Sequence, residues 1–184
     1  MTKALASVVF CMLLLGKAQA QDEFSGIRCG ADIPKALIGK KFRNERVVVT
    51  EARHKDLGLM DLGGQTVSGR LFLASWLICG TEYELLINTK TELIRDSIAI
   101  PIHSKRFPLA SGHCRMNGRQ LAAPIDAILD NSGGLKPTEH LKSDTYLKAT
   151  AAWKIDEGRE RFATLSIVGL TCDLAGANTV DGGP

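Results

Sequence analysis

The segment LFLASWLICGTEYELLI, residues 71–87, decides the fold of this chain. Residues 71–79 are almost continuously apolar, which is typical of a strand whose two faces are both buried. Gly80-Thr81 follows as a pair suited to a type II′ turn, and residues 82–87 supply a return strand. The segment therefore predicts a β-hairpin whose first strand has no solvent-facing side.

A third strand is expected directly after this hairpin. Residues 88–91 have the composition of a turn, and residues 93–102 contain four isoleucines at even positions. At a period of two, Ile94, Ile98, Ile100 and Ile102 lie on one face of a strand. The three segments together predict an antiparallel meander.

Further strands are predicted on both sides of the meander. Alternating or β-branched patterns place them at residues 46–52, 125–130, 149–155 and 161–171. In the third of these, Ala149, Ala151, Trp153 and Ile155 are expected to point inward together.

Turn and cap signals fill the intervals. Asn117-Gly118 is a strong hairpin turn signal. Residues 32–39 predict a very short helix that Asp32 caps and Gly39 ends. Residues 56–64 contain three glycines and are expected to form a loop.

These elements indicate an all-β or β-rich α+β fold. We expect an antiparallel sandwich or small barrel with one or two short helical turns. A doubly wound α/β fold is disfavoured, because no amphipathic helix of useful length alternates with the strands.

The first twenty residues have the features of an export signal. Lys3 precedes an apolar run over residues 4–16, and Ala18-Gln19-Ala20 has the small residues of a cleavage site. The run is short for a membrane span and no cysteine comes directly after it, so no stable membrane anchor is expected. We divide the chain into a signal peptide (1–20), a flexible N-terminal segment (21–30), a single β-rich domain (31–174) and a flexible C-terminal tail (175–184).

Charge and composition disfavour a nucleic-acid partner. Removal of residues 1–20 leaves 164 residues with 21 basic and 20 acidic side chains, and aromatic residues form 5% of the chain. A nearly neutral chain has no global field for polyanions, and few aromatic rings are present for base stacking.

Four cysteines remain after cleavage: Cys29, Cys79, Cys114 and Cys172. Their even number and wide spacing predict two disulfides in an oxidising compartment, with three possible pairings. No Asn-x-Ser/Thr sequon occurs, which is more typical of a bacterial periplasmic or secreted protein.

Two short basic runs are the candidate binding residues. They comprise Arg53, His54 and Lys55 in one loop, and His103, Lys105 and Arg106 in another. If the two loops meet at one end of the sheet, they form a cationic rim for an anionic protein surface or glycan. Short charge runs are also common in solvated loops without any function.

Catalytic and metal-binding patterns are weak. His54, His103, His113 and His140 have no metal-ligand spacing, and no metal or cofactor is expected. His113-Cys114 with Asp126 or Asp130 could suggest a thiol nucleophile, but neighbouring residues of a strand point to opposite faces. Cys114 is expected in a disulfide, and Trp76 and Trp153 in the core.

The resulting hypothesis is a small exported, non-enzymatic protein that binds a partner in the envelope or medium. Inhibition of a secreted hydrolase is one concrete form, with a disulfide-rigidified loop as the inserting element. Two alternatives stay open: a small exported hydrolase whose His/carboxylate site is assembled from loops, and a structural envelope component.

Overall fold

The computed structural model describes residues 24–42, 55–101, 109–123, 125–135, 145–173 and 177–178. Antiparallel strands in two sheets dominate this part of the chain, and the predicted β-rich fold class is confirmed. The predicted short helix is also present as α1, Ile33–Leu37, with the Asp32 side chain accepting a 3.2 Å hydrogen bond from the Lys35 backbone N–H. No helix within the described ranges has the length and apolar character needed to cross a bilayer.

The first sheet contains the predicted meander. Its strands, in spatial order, are β1 (Met60–Thr66), β2 (Leu71–Ile78), β3 (Thr81–Asn88) and β4 (Leu93–Ala99). The turn between β2 and β3 consists of Cys79 and Gly80, with φ values of 53° and 75°. Two positive φ values are those of a type I′ turn, so the predicted type II′ turn at Gly80-Thr81 was wrong by one residue.

Strand β1 replaces most of the loop predicted over residues 56–64. Gly63 has a φ of 103° at a register irregularity, which a residue with a side chain rarely adopts. A Cβ atom on Gly64 would lie 2.6 Å from the Phe72 ring, so this ring packs directly on the glycine. The glycines therefore shape a strand here, whereas the sequence pattern suggested a loop.

The N-terminal segment packs against one face of the first sheet. Phe24, Phe42 and Trp76 form an aromatic cluster with ring centroids 5.1–6.1 Å apart. A disulfide joins Cys29 to Cys79 in the β2–β3 turn. Residues 24–30, expected to be flexible, thus contribute fully buried side chains to this N-terminal core.

The second sheet curves into a half-barrel. Its strands in chain order are β5 (Leu109–Gly112), β6 (Cys114–Met116), β7 (Arg119–Gln120), β8 (Ile125–Leu129), β9 (Tyr146–Asp156), β10 (Arg161–Thr164), β11 (Leu170–Asp173) and β12 (Ala177–Asn178). Their spatial order is β12-β5-β8-β9-β11-β6-β7, and β10 pairs with β9. Strand β12 lies within the segment predicted as a tail. The predicted hairpin at Asn117-Gly118 is confirmed between β6 and β7.

The second disulfide joins β6 to β11 through Cys114 and Cys172, which are directly opposite in the strand register. Both predicted disulfides are therefore present, and the pairing that the sequence left open is Cys29–Cys79 and Cys114–Cys172. Buried Cys114 and Cys172 belong to the core inside the half-barrel.

A third core lies between the two sheets, and we call this interface the seam. Its buried apolar residues are Leu71, Leu73, Leu86, Ile100, Ile128, Trp153 and Phe162. Strands β2 and β3 thus face the N-terminal core on one side and the seam on the other, which confirms the expectation that β2 is buried on both faces.

Shifts in strand register explain why two residues, Ile94 and Ala149, do not lie on the face that the sequence pattern predicted. An irregularity opposite Leu86 and Ile87 turns Ile94 toward the N-terminal core, while Ile98 and Ile100 face the seam. Ile102 is outside the described residues. A similar shift between Ile128 and Leu129 places Ala149 inside the half-barrel, away from Ala151, Trp153 and Ile155.

Candidate functional site

The predicted cationic rim falls mostly outside the described chain. Lys55 begins a helical turn over residues 55–57, and its side chain is exposed. The other five members of the two basic runs are outside the described ranges: Arg53, His54, His103, Lys105 and Arg106. The strand predicted at residues 46–52 is also outside them. The rim therefore stays a prediction.

The thiol-nucleophile possibility is excluded by the disulfide of Cys114, which leaves no free thiolate. His113 is the one histidine in the described ranges, and its side chain is exposed. No hydrogen bond or ion pair joins it to a carboxylate among the described residues. Asp130 accepts a hydrogen bond from the Ser132 backbone N–H and has a local turn role.

The carboxyl groups of the described chain whose pKa values are raised lie in the seam. Glu84 of β3 is only 6% exposed, and its Oε2 accepts a 3.1 Å hydrogen bond from Trp153 Nε1 of β9. Asp126 of β8 is directly opposite Trp153 in the strand register, so its side chain is on the same face. Ser111 Oγ donates a 2.5 Å hydrogen bond to Asp126 Oδ1. Two carboxyl groups from different sheets therefore face each other.

Burial is the main cause of the raised pKa values of Glu84 and Asp126. It raises the pKa of Glu84 to about 8, with further increases from the charges of Asp126 and Glu82 and an opposing effect of the Trp153 hydrogen bond. Burial also raises the pKa of Asp126, against the hydrogen bond from Ser111. Glu84 is consequently mostly protonated at neutral pH.

An acid beside a carboxylate is the arrangement that general acid–base catalysis uses. Here, however, Glu84 is enclosed by the two sheets, and only the Ser111 end of the cluster is exposed. A substrate in contact with Ser111 would not touch the buried acid. The pair can therefore take up and release a proton, but its geometry does not favour substrate chemistry. Within the described ranges, no group of three or more His, Cys, Asp or Glu side chains could hold a metal ion.

The burial of Glu84 was not predicted, because the sequence pattern around it is that of a solvent-facing residue. In the strand of residues 82–87, acidic residues alternate with apolar ones, which usually marks an exposed face. The relevant signal lay in the neighbouring strand. Since residues 71–79 predict burial on both faces, the strand paired with them also needed both faces covered.

A second feature is the loop at residues 165–169, between β10 and β11. Val168 is 79% exposed and Ile167 40% exposed, and the loop joins a strand that is held by the Cys114–Cys172 disulfide. The backbone N–H of Leu170 donates to Ile167 O at 3.0 Å. We call this segment the braced loop.

The β6–β7 turn supports the braced loop from the side. The backbone N–H of Asn117 donates to Gly169 O at 2.9 Å. Gly169 has a φ of 75°, and a Cβ atom at this position would overlap the Asn117 side chain. Both the backbone conformation and the close approach therefore require glycine.

Cationic and aromatic groups occupy the strands beside the braced loop. The Arg115 guanidinium lies 3.9 Å from the centroid of the Tyr146 ring, which is a cation–π contact. Arg119 is exposed in the adjoining hairpin. This surface was not predicted, because the sequence pattern assigned residues 161–171 to one continuous strand.

Strand β1 forms an edge of the first sheet in the described part of the chain. All seven of its residues are exposed, including Met60 at 55%. The irregularity between Asp61 and Gly63 interrupts the edge. Such bulges are a common device against edge-to-edge pairing.

Comparison with known proteins gives no relative from which function could be transferred: no protein family, curated protein or solved structure matches this chain.

Proposed function

We propose that the chain is an exported, non-enzymatic binding protein whose braced loop inserts into an apolar pocket of a partner protein in the periplasm or medium. The exposure of Val168 on a disulfide-supported loop is the observation that supports this most directly. The features of residues 1–20 and two disulfides are compatible with export.

The rigidity of the loop is the physical argument for binding. Ordering of the backbone and side chains is one of the free-energy costs that a loop pays when it docks. Here the Asn117–Gly169 and Leu170–Ile167 hydrogen bonds order the backbone in the free protein. Val168 also has few rotamers to lose, because its side chain is β-branched.

The expected partner has an apolar pocket, since Ile167 and Val168 are the apolar side chains that the loop exposes. The cleft of a secreted hydrolase fits this description, and insertion of the loop would inhibit such an enzyme. Exposed Arg119, in the hairpin that contacts the loop, favours an acidic rim around the pocket.

The alternative of a hydrolase receives less support. Its expected hallmark is a histidine beside a carboxylate, and His113, the one histidine in the described ranges, has an exposed side chain. The Glu84–Asp126 pair is the nearest substitute, but the burial of Glu84 argues against contact with a substrate.

A structural envelope component is the second candidate, and the exposed edge strand β1 favours it. Assembly through this strand would bury Met60 and Leu62, which are 55% and 44% exposed. The bulge in β1 argues against it.

Affinity capture with loop variants tests both candidates. Tagged mature protein is incubated with the exported fraction of the producing organism, and bound proteins are identified by mass spectrometry. We expect a stoichiometric partner with the wild type and with Met60→Asp, and its loss with Val168→Asp. Both substitutions place a charge at an exposed apolar position, so that each is the control for the other.

The opposite pattern supports assembly through β1: retention by Val168→Asp, loss by Met60→Asp, and self-association of the wild type in sedimentation experiments. A partner that both variants retain, or the absence of any partner, would overturn the proposal for the braced loop.

A further inference from the structure

Each half of the described chain has its own disulfide. The Cys29–Cys79 disulfide lies on the N-terminal side of the seam, and Cys114–Cys172 lies within the second sheet. Neither bridge crosses the seam. The contact between the sheets therefore depends on noncovalent interactions, which can change with conditions while each half stays covalently tied.

Several of these interactions join charged or polar groups. Asp96 Oδ2 of β4 accepts a 2.8 Å hydrogen bond from the Phe162 backbone N–H of β10. Glu160 accepts a hydrogen bond from Asn88 at 2.8 Å and pairs with Arg95 at 2.6 Å. These contacts close the seam along β4 and β10 with complementary partners.

At the centre of the seam, the charged groups are not complementary. The charged groups that act on Glu84 are Asp126 from β8 and Glu82 from its own strand, and both are acidic. Strand β9 contributes Trp153 to the centre of the seam, and β5 contributes Ser111. In β4, Ile98 is directly opposite Glu84, and Asp96 lies two residues before Ile98. The main influences on the pKa of Glu84 are therefore burial, two acidic neighbours and the Trp153 hydrogen bond, and none of them is a basic side chain.

We propose that the seam is a pH-responsive joint, closed while Glu84 and Asp126 hold at most one negative charge between them and loosened when both are charged. This goes beyond the proposed function and does not depend on it. Two like charges in a low-dielectric interface repel strongly, and each lacks the hydration that it has in water. Entry of water between the sheets relieves both penalties.

The direction of the response follows from the acidity of the buried group. Protonated Glu84 is compatible with burial and still accepts the Trp153 hydrogen bond. Because the pKa of Glu84 is about 8, its ionisation falls in the mildly alkaline range. The joint is thus closed at neutral and acidic pH and loosens as the pH rises.

The two tryptophans of the chain provide a reporter and an internal control. The Trp153 indole N–H bonds to Glu84 across the seam. The Trp76 indole N–H is buried in the N-terminal core and has no hydrogen-bond partner in the described part of the chain. Nitrogen-15 labelling of tryptophan gives one indole resonance for each, and Trp76→Phe assigns them.

The experiment follows both resonances, and the protection of each indole N–H against exchange with water, between about pH 6 and about pH 9.5. Protection is corrected for the base catalysis of exchange. We expect the Trp153 resonance to titrate with a midpoint near pH 8 and its protection to fall at least about tenfold above that midpoint. The Trp76 resonance and its protection should not change.

Matched variants identify the titrating groups. Glu84→Gln keeps an acceptor for Trp153 but cannot ionise, so the titration and the loss of protection should both disappear. Asp126→Asn removes a charge that raises the pKa of Glu84, so the midpoint should move to lower pH. If Glu84→Gln does not fold, the Asp126→Asn shift alone decides the assignment.

Four results would overturn the proposal. The Trp153 resonance could fail to titrate, or could titrate in folded Glu84→Gln as in the wild type. It could also titrate without loss of protection, which would mean that Glu84 ionises in a closed seam. Parallel loss of protection at Trp76 and Trp153 would indicate global unfolding and would likewise contradict a local joint.

Discussion

The indole Nε1 of Trp153 lies 3.1 Å from Glu84 Oε2, and this hydrogen bond joins β9 of the second sheet to β3 of the first. It places a carboxyl group beside the buried apolar residues of the seam, which include Leu86 and Ile128. Buried carboxyl groups of this kind shift their pKa upward, so that one contact couples the packing of two sheets to protonation.

The stability of the oxidised mature protein is expected to fall as the pH rises from about 5 to about 8. Glu84 ionises near its ordinary pKa of 4.5 in the unfolded chain but near 8 in the folded protein. Between these values the folded state binds more protons, so its stability is greatest below 4.5 and decreases through the window. The slope from this residue reaches about 1.4 kcal/mol per pH unit.

Urea denaturation at several pH values checks this slope, with Glu84→Gln as the control. The variant should lose most of the dependence, with a remainder from Asp126, whose pKa is also raised. At about pH 9 we expect the variant to be more stable than the wild type by about 1–3 kcal/mol. Equal slopes for the two proteins would show that Glu84 is not the group responsible.

Trp153→Phe is expected to destabilise the protein by about 1–3 kcal/mol more than Trp76→Phe. Both substitutions remove a similar ring from a buried site. Only the first leaves the Glu84 carboxyl without its donor, whereas the second removes an indole N–H that has no acceptor within the described residues. Denaturation at pH 6 measures the difference, and equal losses would contradict the role assigned to the hydrogen bond.

Removal of either disulfide should cost about 2–4 kcal/mol, because each closes a long loop in the unfolded chain. The sequence separations are similar, at 50 residues for Cys29–Cys79 and 58 for Cys114–Cys172. Partner binding should differ, since only the second bridge supports the braced loop. We expect at least about a tenfold loss of affinity for the Cys114→Ala/Cys172→Ala variant and little change for Cys29→Ala/Cys79→Ala.

These two double variants are compared by urea denaturation and by titration with the captured partner. A similar loss of affinity in both would mean that stability, and not support of the braced loop, limits binding. Peptide mapping of the wild type should first show both bridges and no free thiol in the mature chain.

Gly169→Ala should destabilise the protein by about 1–3 kcal/mol, because alanine is strained at positive φ and its Cβ atom would overlap Asn117. Gly69→Ala is the matched control, since a Cβ atom there meets no atom within 4 Å. Its effect should be within about 0.5 kcal/mol. Thermal and urea denaturation compare the two, and a harmless Gly169→Ala would imply that the turn can rearrange.

Some elements could be predicted because their signals are local. Asp32 caps α1 and Asn117-Gly118 turns the β6–β7 hairpin, since both depend on a few adjacent residues. The break between β10 and β11 was missed, because residues 161–171 keep apolar residues throughout and Gly169 alone signals the turn. Register was also beyond local reasoning: the shifts at Leu86 and Ile128 depend on the partner strands.

The amino-acid pattern by itself determined the antiparallel β architecture, the burial of β2 on both faces and the presence of two disulfides. These properties follow from side-chain alternation, turn chemistry and cysteine number, which are all readable along the chain. Only the tertiary structure decided the cysteine pairing, the exposure of Val168 and the meeting of Glu84 with Asp126. The physical reason is that burial and charge proximity depend on which sheet covers a given face, and residues 42 positions apart have no local signal of their contact.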